Sequence, residues 1–380
     1  MIVTLQTSTF GAYGGIPTYN RLVCRVLNDF GEVGAHHVLL ATDKPENVEP
    51  WKSKLSGLQL EAYARNRTAF VRRVVGLAAS QRIDLALIGH VNYAPLGLLL
   101  RRLQPQLRYG VMMYGIDVWT PLSKLRRQAL RRADFAVSIS EYTKRMAVEA
   151  NGIEAGRVRL LPNALEWDEG EGLTTMPEPP AMAGPRLLTV TRLDETERYK
   201  GVDAVIKALP SVTARAPGVQ YIVVGSGGDL PRLKGLAERL GVSGRVHFLG
   251  SVDDATLRAH YRACDVFVMP SAKEGFGFVF LEAMQYAKPV VAADAGGSPE
   301  VVLDGVTGSL VSYGDIDGLA QALSTLCLDP EKRARMGRAG YERLREHYTF
   351  PRFRRTLTDI LLRELPSAAV YRARQSALAC

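Results

Sequence analysis

A rhythm that runs through the chain twice constrains its fold most: short apolar runs alternate with longer stretches of helical periodicity. Ile2–Leu5, Val38–Ala41, Leu85–Ile88, Tyr109–Met113 and Phe135–Ile139 are apolar almost without interruption. A strand with one wet face would turn polar at every second residue. Continuous apolar runs need cover on both faces, which a parallel sheet between helices provides. A helix is expected from about Pro17 to Asp29, after a glycine-containing loop, Gly11-Ala-Tyr-Gly-Gly15.

The rhythm breaks over 166–185, where Glu166-Trp-Asp-Glu-Gly-Glu-Gly and Met176-Pro-Glu-Pro-Pro gather acids, glycine and proline. Such a composition reads as a linker. Beyond it come strand candidates Arg186–Val190, Val219–Val224, Val246–Leu249, Val266–Met269 and Pro289–Ala292, with helices near 202–215, 230–240 and 278–286. A last helix is expected over roughly 351–375. The chain of 380 residues thus suits two α/β domains, 1–165 and 186–352, with 353–380 returning to the first. Doubly wound units bind ligands outside the carboxyl ends of their strands. The two domains are therefore expected to face a central cleft.

Composition narrows the class. An apolar fraction of 47% and a charged fraction of 23% are those of a globular protein. The apolar run at 1–5 is too short for a signal peptide, and no stretch is long enough for a membrane span, so a cytoplasmic location is expected. Cys24, Cys264, Cys327 and Cys380 are far apart and form no CxxC pair, which argues against a zinc site or a disulfide framework. Of the net charge of +9, residues 51–150 carry more than all, with 17 Lys or Arg against 6 Asp or Glu. A basic excess confined to one part suggests that it faces something anionic. Lys124-Leu-Arg-Arg-Gln-Ala-Leu-Arg-Arg132, following Trp119, fits a basic amphipathic helix lying on an anionic membrane. It fits equally a core-facing helix with a solvated cationic face. No nucleic-acid-binding module is visible.

The chemistry concentrates in Met269-Pro-Ser-Ala-Lys-Glu-Gly-Phe-Gly-Phe-Val-Phe-Leu-Glu-Ala-Met284. A strand ends, a loop with Gly275 and Gly277 follows, and a helix starts near Phe278. Glycine lets backbone approach a ligand, and a helix start offers free amides to a phosphate. Glu274 precedes that helix and Glu282 lies inside it. On spacing alone, a polyhydroxylated ligand held by two carboxylates and a plain strand–turn–helix with surface acids both fit.

The segment resembles the retaining glycosyltransferases of family four, whose fold is GT-B and whose hallmark is Glu-x7-Glu beginning Glu-Gly-Phe-Gly. The likeness continues through Lys288-Pro-Val-Val291, Gly296-Gly-Ser-Pro-Glu300 and Gly305-Val-Thr-Gly308. It implies that Glu274 contacts the donor sugar and Glu282 the ribose, while the backbone of Gly275, Phe276 and Gly277 approaches the sugar and diphosphate. Thr191-Arg-Leu-Asp-Glu-Thr-Glu-Arg-Tyr-Lys-Gly201 resembles the Arg-Leu…Lys-Gly segment of the family, with a longer spacing than many members have. It implies Arg192 and Lys200 as cations on the diphosphate, with Arg198 an alternative to one of them. Charge growing on a leaving diphosphate requires such groups. Gly225 lies in a glycine turn in register with the family. The resemblance also implies that Val246 and Phe248 lie in the segment whose backbone reads the base.

In the first domain the resemblance places Gly14 and Gly15 against the diphosphate, with Tyr19 bordering the acceptor. Met113-Tyr-Gly-Ile-Asp117 resembles a segment that usually carries histidine, and here Tyr114 stands in its place. Tyr114, Asp117, His90 and Asn92 are the remaining acceptor-side candidates. The resemblance implies a retaining hexosyl transfer from a nucleoside-diphosphate sugar of UDP or GDP type to a glycan or lipid-linked hydroxyl. No permanently bound cofactor is expected. An Asp-x-Asp element can hold a metal on a diphosphate, but Asp315-Ile-Asp317 reads as a helix cap, so no obligatory metal is expected. The alternatives are a sugar-nucleotide epimerase on the same fold and a nucleotide-sugar-binding protein without turnover.

Overall fold

The computed structural model describes residues 1–30, 36–165, 182 and 184–365. The chain divides into two compact units, Met1–Glu166 with Phe350–Cys380, and Trp167–Thr349. The expected linker at 166–185 lies outside the described residues except at 182, 184 and 185.

The first unit holds β1 (Ile2–Gln6), α1 (Gly15–Asn28), β2 (His36–Leu40), α2 (Pro45–Lys52), β3 (Leu58–Ala62), α3 (Arg67–Ser80) and β4 (Leu85–Ile88). It continues through α4 (Ala94–Leu103), β5 (Arg108–Met113), α5 (Lys124–Arg132), β6 (Phe135–Ser138), α6 (Glu141–Asn151) and β7 (Val158–Leu160). All seven strands run parallel in the order β3-β2-β1-β4-β5-β6-β7. Every residue of β1, β2, β4 and β6 is buried, as the unbroken apolar runs demanded. Edge strands β3 and β7 escape a reading by apolar runs. The first alternates as Leu-Gln-Leu-Glu-Ala and the second has three residues.

The second unit holds β8 (Arg186–Val190), α7 (Val202–Arg215), β9 (Gln220–Val224), α8 (Leu230–Arg239), β10 (Val246–Gly250), α9 (Asp254–Ala263) and β11 (Val266–Met269). Then come α10 (Phe278–Gln285), β12 (Val290–Ala293), α11 (Ser298–Val301), β13 (Gly308–Val311), α12 (Ile316–Leu328) and α13 (Pro330–His347). Its six parallel strands are ordered β10-β9-β8-β11-β12-β13. The core between sheet and helices includes Val205, Ile206, Leu209, Val223, Val268 and Leu323. Each such side chain contributes about 1.5–3 kcal/mol by leaving water.

In each unit the strand order reverses once, between β1 and β4 and between β8 and β11. At such a switch the loops after two neighbouring strands part to opposite faces and leave a crevice at their carboxyl ends.

A final helix, α14 (Phe350–Glu364), belongs to the first unit. The part expected beyond 365 lies outside the described residues. Phe353 packs edge-on against Tyr19 of α1 at 5.3 Å between ring centres, and the Arg25 guanidinium lies 4.5 Å over the Phe350 ring. Glu364, only 2% exposed, accepts from Arg108 of β5 at 2.5 Å and from Arg159 of β7 at 3.1 Å. A buried carboxylate needs such partners, because an unpaired one would neutralise or unfold its surroundings.

Candidate active site

The loops after β8 and β11 flank the switch point of the second unit, and they carry the strongest sequence candidates. Lys200 Nζ donates to Glu274 Oε2 at 2.7 Å, with the two side chains 17% and 14% exposed. Burial works against the ammonium charge, but the Glu274 carboxylate outweighs it and holds Lys200 above its ordinary range. Backbone contacts fix both loops. Ala272 N–H donates to the Tyr199 carbonyl at 2.9 Å, and Gly297 N–H to the Glu274 carbonyl at 2.7 Å. Gly201 has φ 80, and a Cβ there would meet the Pro270 carbonyl oxygen at 2.6 Å, so only glycine lets the loops come this close.

Arg192 and Arg198 separate in role. Arg192, 75% exposed, pairs with Glu197. Arg198 Nε donates to Asp229 Oδ1 at 2.9 Å, and Arg232 Nε donates to the same oxygen at 2.7 Å. The Arg232 bonds first, with Arg198 adding, hold the Asp229 carboxyl below its usual range. Arg198 therefore fastens the strap after β8 to the glycine turn after β9, while the Arg192 tip stays open to solvent. Arg192, Glu197, Arg198, Lys200, Asp203 and Asp229 line one pocket. Gly225 closes the same contact from the other side: its φ is 137, and a Cβ would lie 1.8 Å from the Thr191 carbonyl oxygen.

Glu282 lies one turn into α10 and accepts from the Tyr261 hydroxyl of α9 at 2.6 Å. Burial raises its carboxyl above the ordinary value, the Tyr261 bond opposes this, and Asp254 adds to it. Gly277, with φ 97, caps the helix start without a side chain, which leaves the first amides of α10 without a side-chain cap. Phe276 turns its ring inward, edge-on to Tyr348 at 5.3 Å, and is 2% exposed, so its side chain does not cover the backbone of this glycine-flanked turn. Val246 and Phe248 lie on edge strand β10. His247 between them bonds Gln220 through Nε2 at 2.8 Å, as an ordinary sheet residue would.

In the first unit the loops after β1, β4 and β5 meet around its own switch point. Gly14 (φ 129) and Gly15 open α1, again with no side-chain cap. Asp43, after β2, accepts from the amides of Thr9 at 2.8 Å, Phe10 at 2.9 Å and Gly11, and so shapes the loop that leads to them. Tyr114 donates to Asn20 Oδ1 at 2.8 Å, and its own amide donates to Asp117 Oδ1 at 3.1 Å. Burial pushes the Asp117 carboxyl up to about 7 against these backbone bonds. The His90 ring centre lies 6.2 Å from that of Tyr114, and its Nδ1 accepts from the Asn92 amide at 3.1 Å. Accepting at Nδ1 puts the proton of the neutral ring on Nε2. Burial, with Arg126 nearby, lowers His90 to about 4, so the ring is neutral near pH 7. Asn92 is exposed. Tyr19 is the exception among the candidates: its ring is buried between Tyr114 and Phe353, and its hydroxyl donates to the Leu161 carbonyl at 3.1 Å. It is an interior residue of this unit.

Among the described residues, no group of three or more His, Cys, Asp or Glu is placed to hold a metal. Asp315 accepts from the Gly318 amide at 2.8 Å and caps α12. Sequence reasoning missed Glu197, Asp229, Asn20, Asp43 and Tyr261. Only Glu197 and Asp229 carried a signal, being acids inside the basic segment and the glycine turn.

Comparison with known proteins fits this geometry. Residues 13–168 match the profile of Glycosyltransferase Family 4, and residues 180–343 that of Glycosyl transferases group 1. The chain is 35% identical over 268 residues to a GDP-mannose-dependent alpha-(1-6)-phosphatidylinositol monomannoside mannosyltransferase of Mycolicibacterium smegmatis, covering 65% of this chain and 68% of the relative. It is 33% identical over 288 residues to the protein of the same name from Mycobacterium tuberculosis (strain CDC 1551 / Oshkosh), covering 70% and 73%. The chain belongs to glycosyltransferase family 4. The enzyme also shares its fold with Anabaena HepE, solved in complex with UDP, at 20% identity, 95% and 99% coverage and a TM-score of 0.75. Sucrose-phosphate synthase from Thermosynechococcus elongatus matches at 21% identity, 95% and 98% coverage and a TM-score of 0.75. The transferase therefore has the GT-B fold of two Rossmann-like domains.

Proposed function

We propose that the enzyme transfers a mannosyl group from GDP-mannose to a hydroxyl of a phosphate-bearing glycolipid, with retention of anomeric configuration. The observation that carries this reading is the Lys200–Glu274 pair at 2.7 Å, a cation and a carboxylate side by side at the switch point of the second unit. The relatives named above supply the choice of donor and acceptor.

In this reading Lys200 and Arg192 stabilise the charge that grows on the GDP β-phosphate as the sugar C1–O bond breaks. The acceptor oxygen bonds to C1 from the same face, and its proton passes to the departing phosphate. Glu274 orients the hexose, and Glu282 receives the ribose hydroxyls. His90 and Asn92 are the acceptor-side candidates of the first unit. The amides at Gly14 and Gly15, without a side-chain cap, are the first unit's candidates for phosphate oxygens.

The reading extends to a peripheral contact with anionic lipid at the inner face of the membrane, through residues 119–132. Helix α5 buries Ala129 and Leu130 and exposes Lys124, Arg126, Arg131 and Arg132, with Leu125 56% exposed among them. Among the described residues no helix is long and apolar enough to cross a membrane. A basic face with an exposed leucine suits adsorption instead. Sedimentation with phosphatidylserine vesicles at low salt tests this, and an enzyme left in the supernatant would end it.

The transfer itself is tested with GDP-mannose and a phosphatidylinositol mannoside acceptor, the product being identified by mass and anomeric configuration. Glu274→Ala should lower turnover by at least about 100-fold in a chain that still folds, with a lower melting temperature because Lys200 loses its partner. Near-normal turnover in that variant, or donor consumption without any acceptor, would overturn the assignment.

A further inference from the structure

Glu197 is one of four carboxylates, with Asp194, Asp203 and Asp229, in the pocket that gathers Arg192, Arg198, Lys200 and Arg232. Asp229 is taken up by Arg198 and Arg232, and nothing so far accounts for Glu197. It sits at a kink in the strap after β8, where φ −112 and ψ 21 interrupt the turn 195–200. Its side chain is 13% exposed, and one oxygen holds Arg192. The other, Oε2, is buried with no hydrogen-bond partner among the described residues. A buried acceptor left unpaired costs stability, and such exceptions call for an explanation outside packing. Its neighbours are fixed independently of it: Arg198 is fastened to Asp229 at 2.9 Å and Lys200 to Glu274 at 2.7 Å. Arg192 is the most exposed of the three cations, at 75% against 51% for Arg198 and 17% for Lys200.

We propose that Glu197 is a positioning residue that holds the Arg192 guanidinium ready for the leaving diphosphate. The inference rests on the donor-site reading given above. An arginine on a solvated stem loses much rotamer freedom when a ligand immobilises it. Glu197 removes part of that loss in advance. It occupies one edge of the planar fork and leaves the remaining N–H groups for phosphate oxygens. The kink and the unpartnered oxygen are local costs of placing a carboxylate there.

The experiment uses the full chain, with GDP as the binding probe and GDP-mannose for steady-state kinetics. Glu197→Ala should raise the Kd for GDP and the KM for GDP-mannose by about 3- to 10-fold with an unchanged melting temperature. Glu197→Gln keeps the shape and one acceptor oxygen and should recover most of the loss, to within about twofold of the parent enzyme. Arg192→Ala should weaken GDP binding more, and adding Glu197→Ala to it should cost nothing further. A purely structural Glu197 would instead show a loss that multiplies with that of Arg192→Ala, and this result overturns the proposal. GDP binding unchanged or tightened in Glu197→Ala overturns it too. If Arg192→Ala binds GDP like the parent, or the parent does not bind GDP, the donor-site reading itself fails and takes the inference with it. If only the Glu197 arms fail, the donor-site reading stands.

Discussion

Gly225 rests against the carbonyl oxygen of Thr191 so closely that a Cβ at that position would lie 1.8 Å from it. The strap after β8 and the turn after β9 are one assembly, joined there and again where Leu193 N–H donates to the Ser226 carbonyl at 2.9 Å. Gly225→Ala should destabilise the chain by at least about 2 kcal/mol, combining the clash with a backbone conformation that side chains resist. It should also raise the GDP-mannose KM. Gly228→Ala is the control: a Cβ there meets nothing nearer than Glu195 Oε1 at 3.6 Å, so a change within about 0.5 kcal/mol is expected. Urea unfolding of the two variants measures the difference.

The Tyr261 hydroxyl sits on Glu282 at 2.6 Å and restrains a carboxylate that burial would otherwise drive further toward its neutral form. Tyr261→Phe removes that bond without changing shape. The expected result is a loss of about 1 kcal/mol in stability and a several-fold rise in donor KM, with kcat little changed. A fall in kcat alone would contradict a role in ribose binding.

Asp117 gives the protein a pH signature. Its carboxyl is raised from 3.8 to about 7, first by burial. Between those values the folded chain holds a proton that the unfolded chain has released, so this group's contribution to stability falls as pH rises through the window. Asp117→Asn keeps an oxygen for the Tyr114 amide and cannot ionise. Its melting temperature relative to the parent should therefore climb from about pH 4 to about pH 7 and level off above. A difference that stays flat across the range would show that Asp117 ionises normally.

Glu364 joins α14 to the sheet of its unit. Glu364→Ala leaves Arg159 without its carboxylate and Arg108 with Asp134 alone, at 3.8 Å, and a loss of about 3 kcal/mol is expected on urea unfolding. Glu364→Gln keeps the shape and should lose less. Equal, small losses in both variants would mean that the pair of arginines is solvated in the absence of the acid.

The sequence was most legible where the chemistry is local. The central strands announced themselves because both faces are covered, and the nine-residue span Glu274–Glu282 contains its own loop, glycines and helix start. Short edge strand β13, beginning at Gly308, carried no such run. Partnerships across the chain were not legible. That Arg198 is taken up while Arg192 is left more exposed depends on Asp229, which lies 31 residues from Arg198. Tyr19 was expected at the acceptor side because it follows the glycine turn. Its ring instead faces Phe353, a residue of the last described helix, and no local pattern encodes that contact. Tyr114 stands where histidine is usual in the family, and its hydrogen bond to Asn20, 94 residues away, turns the hydroxyl toward α1.

The return of α14 to the first unit also sets the order in which the molecule can be completed during synthesis. The second unit is a continuous stretch, whereas the first waits for Phe350–Glu364 to cover Tyr19 and supply Glu364. Domains usually mature on the ribosome from the amino terminus onward. Here the unit begun first is finished last. Until the final helix emerges, α1 lacks the aromatic cover of Phe353 and Arg159 lacks Glu364, so the first unit stays incomplete while the whole of the second is made.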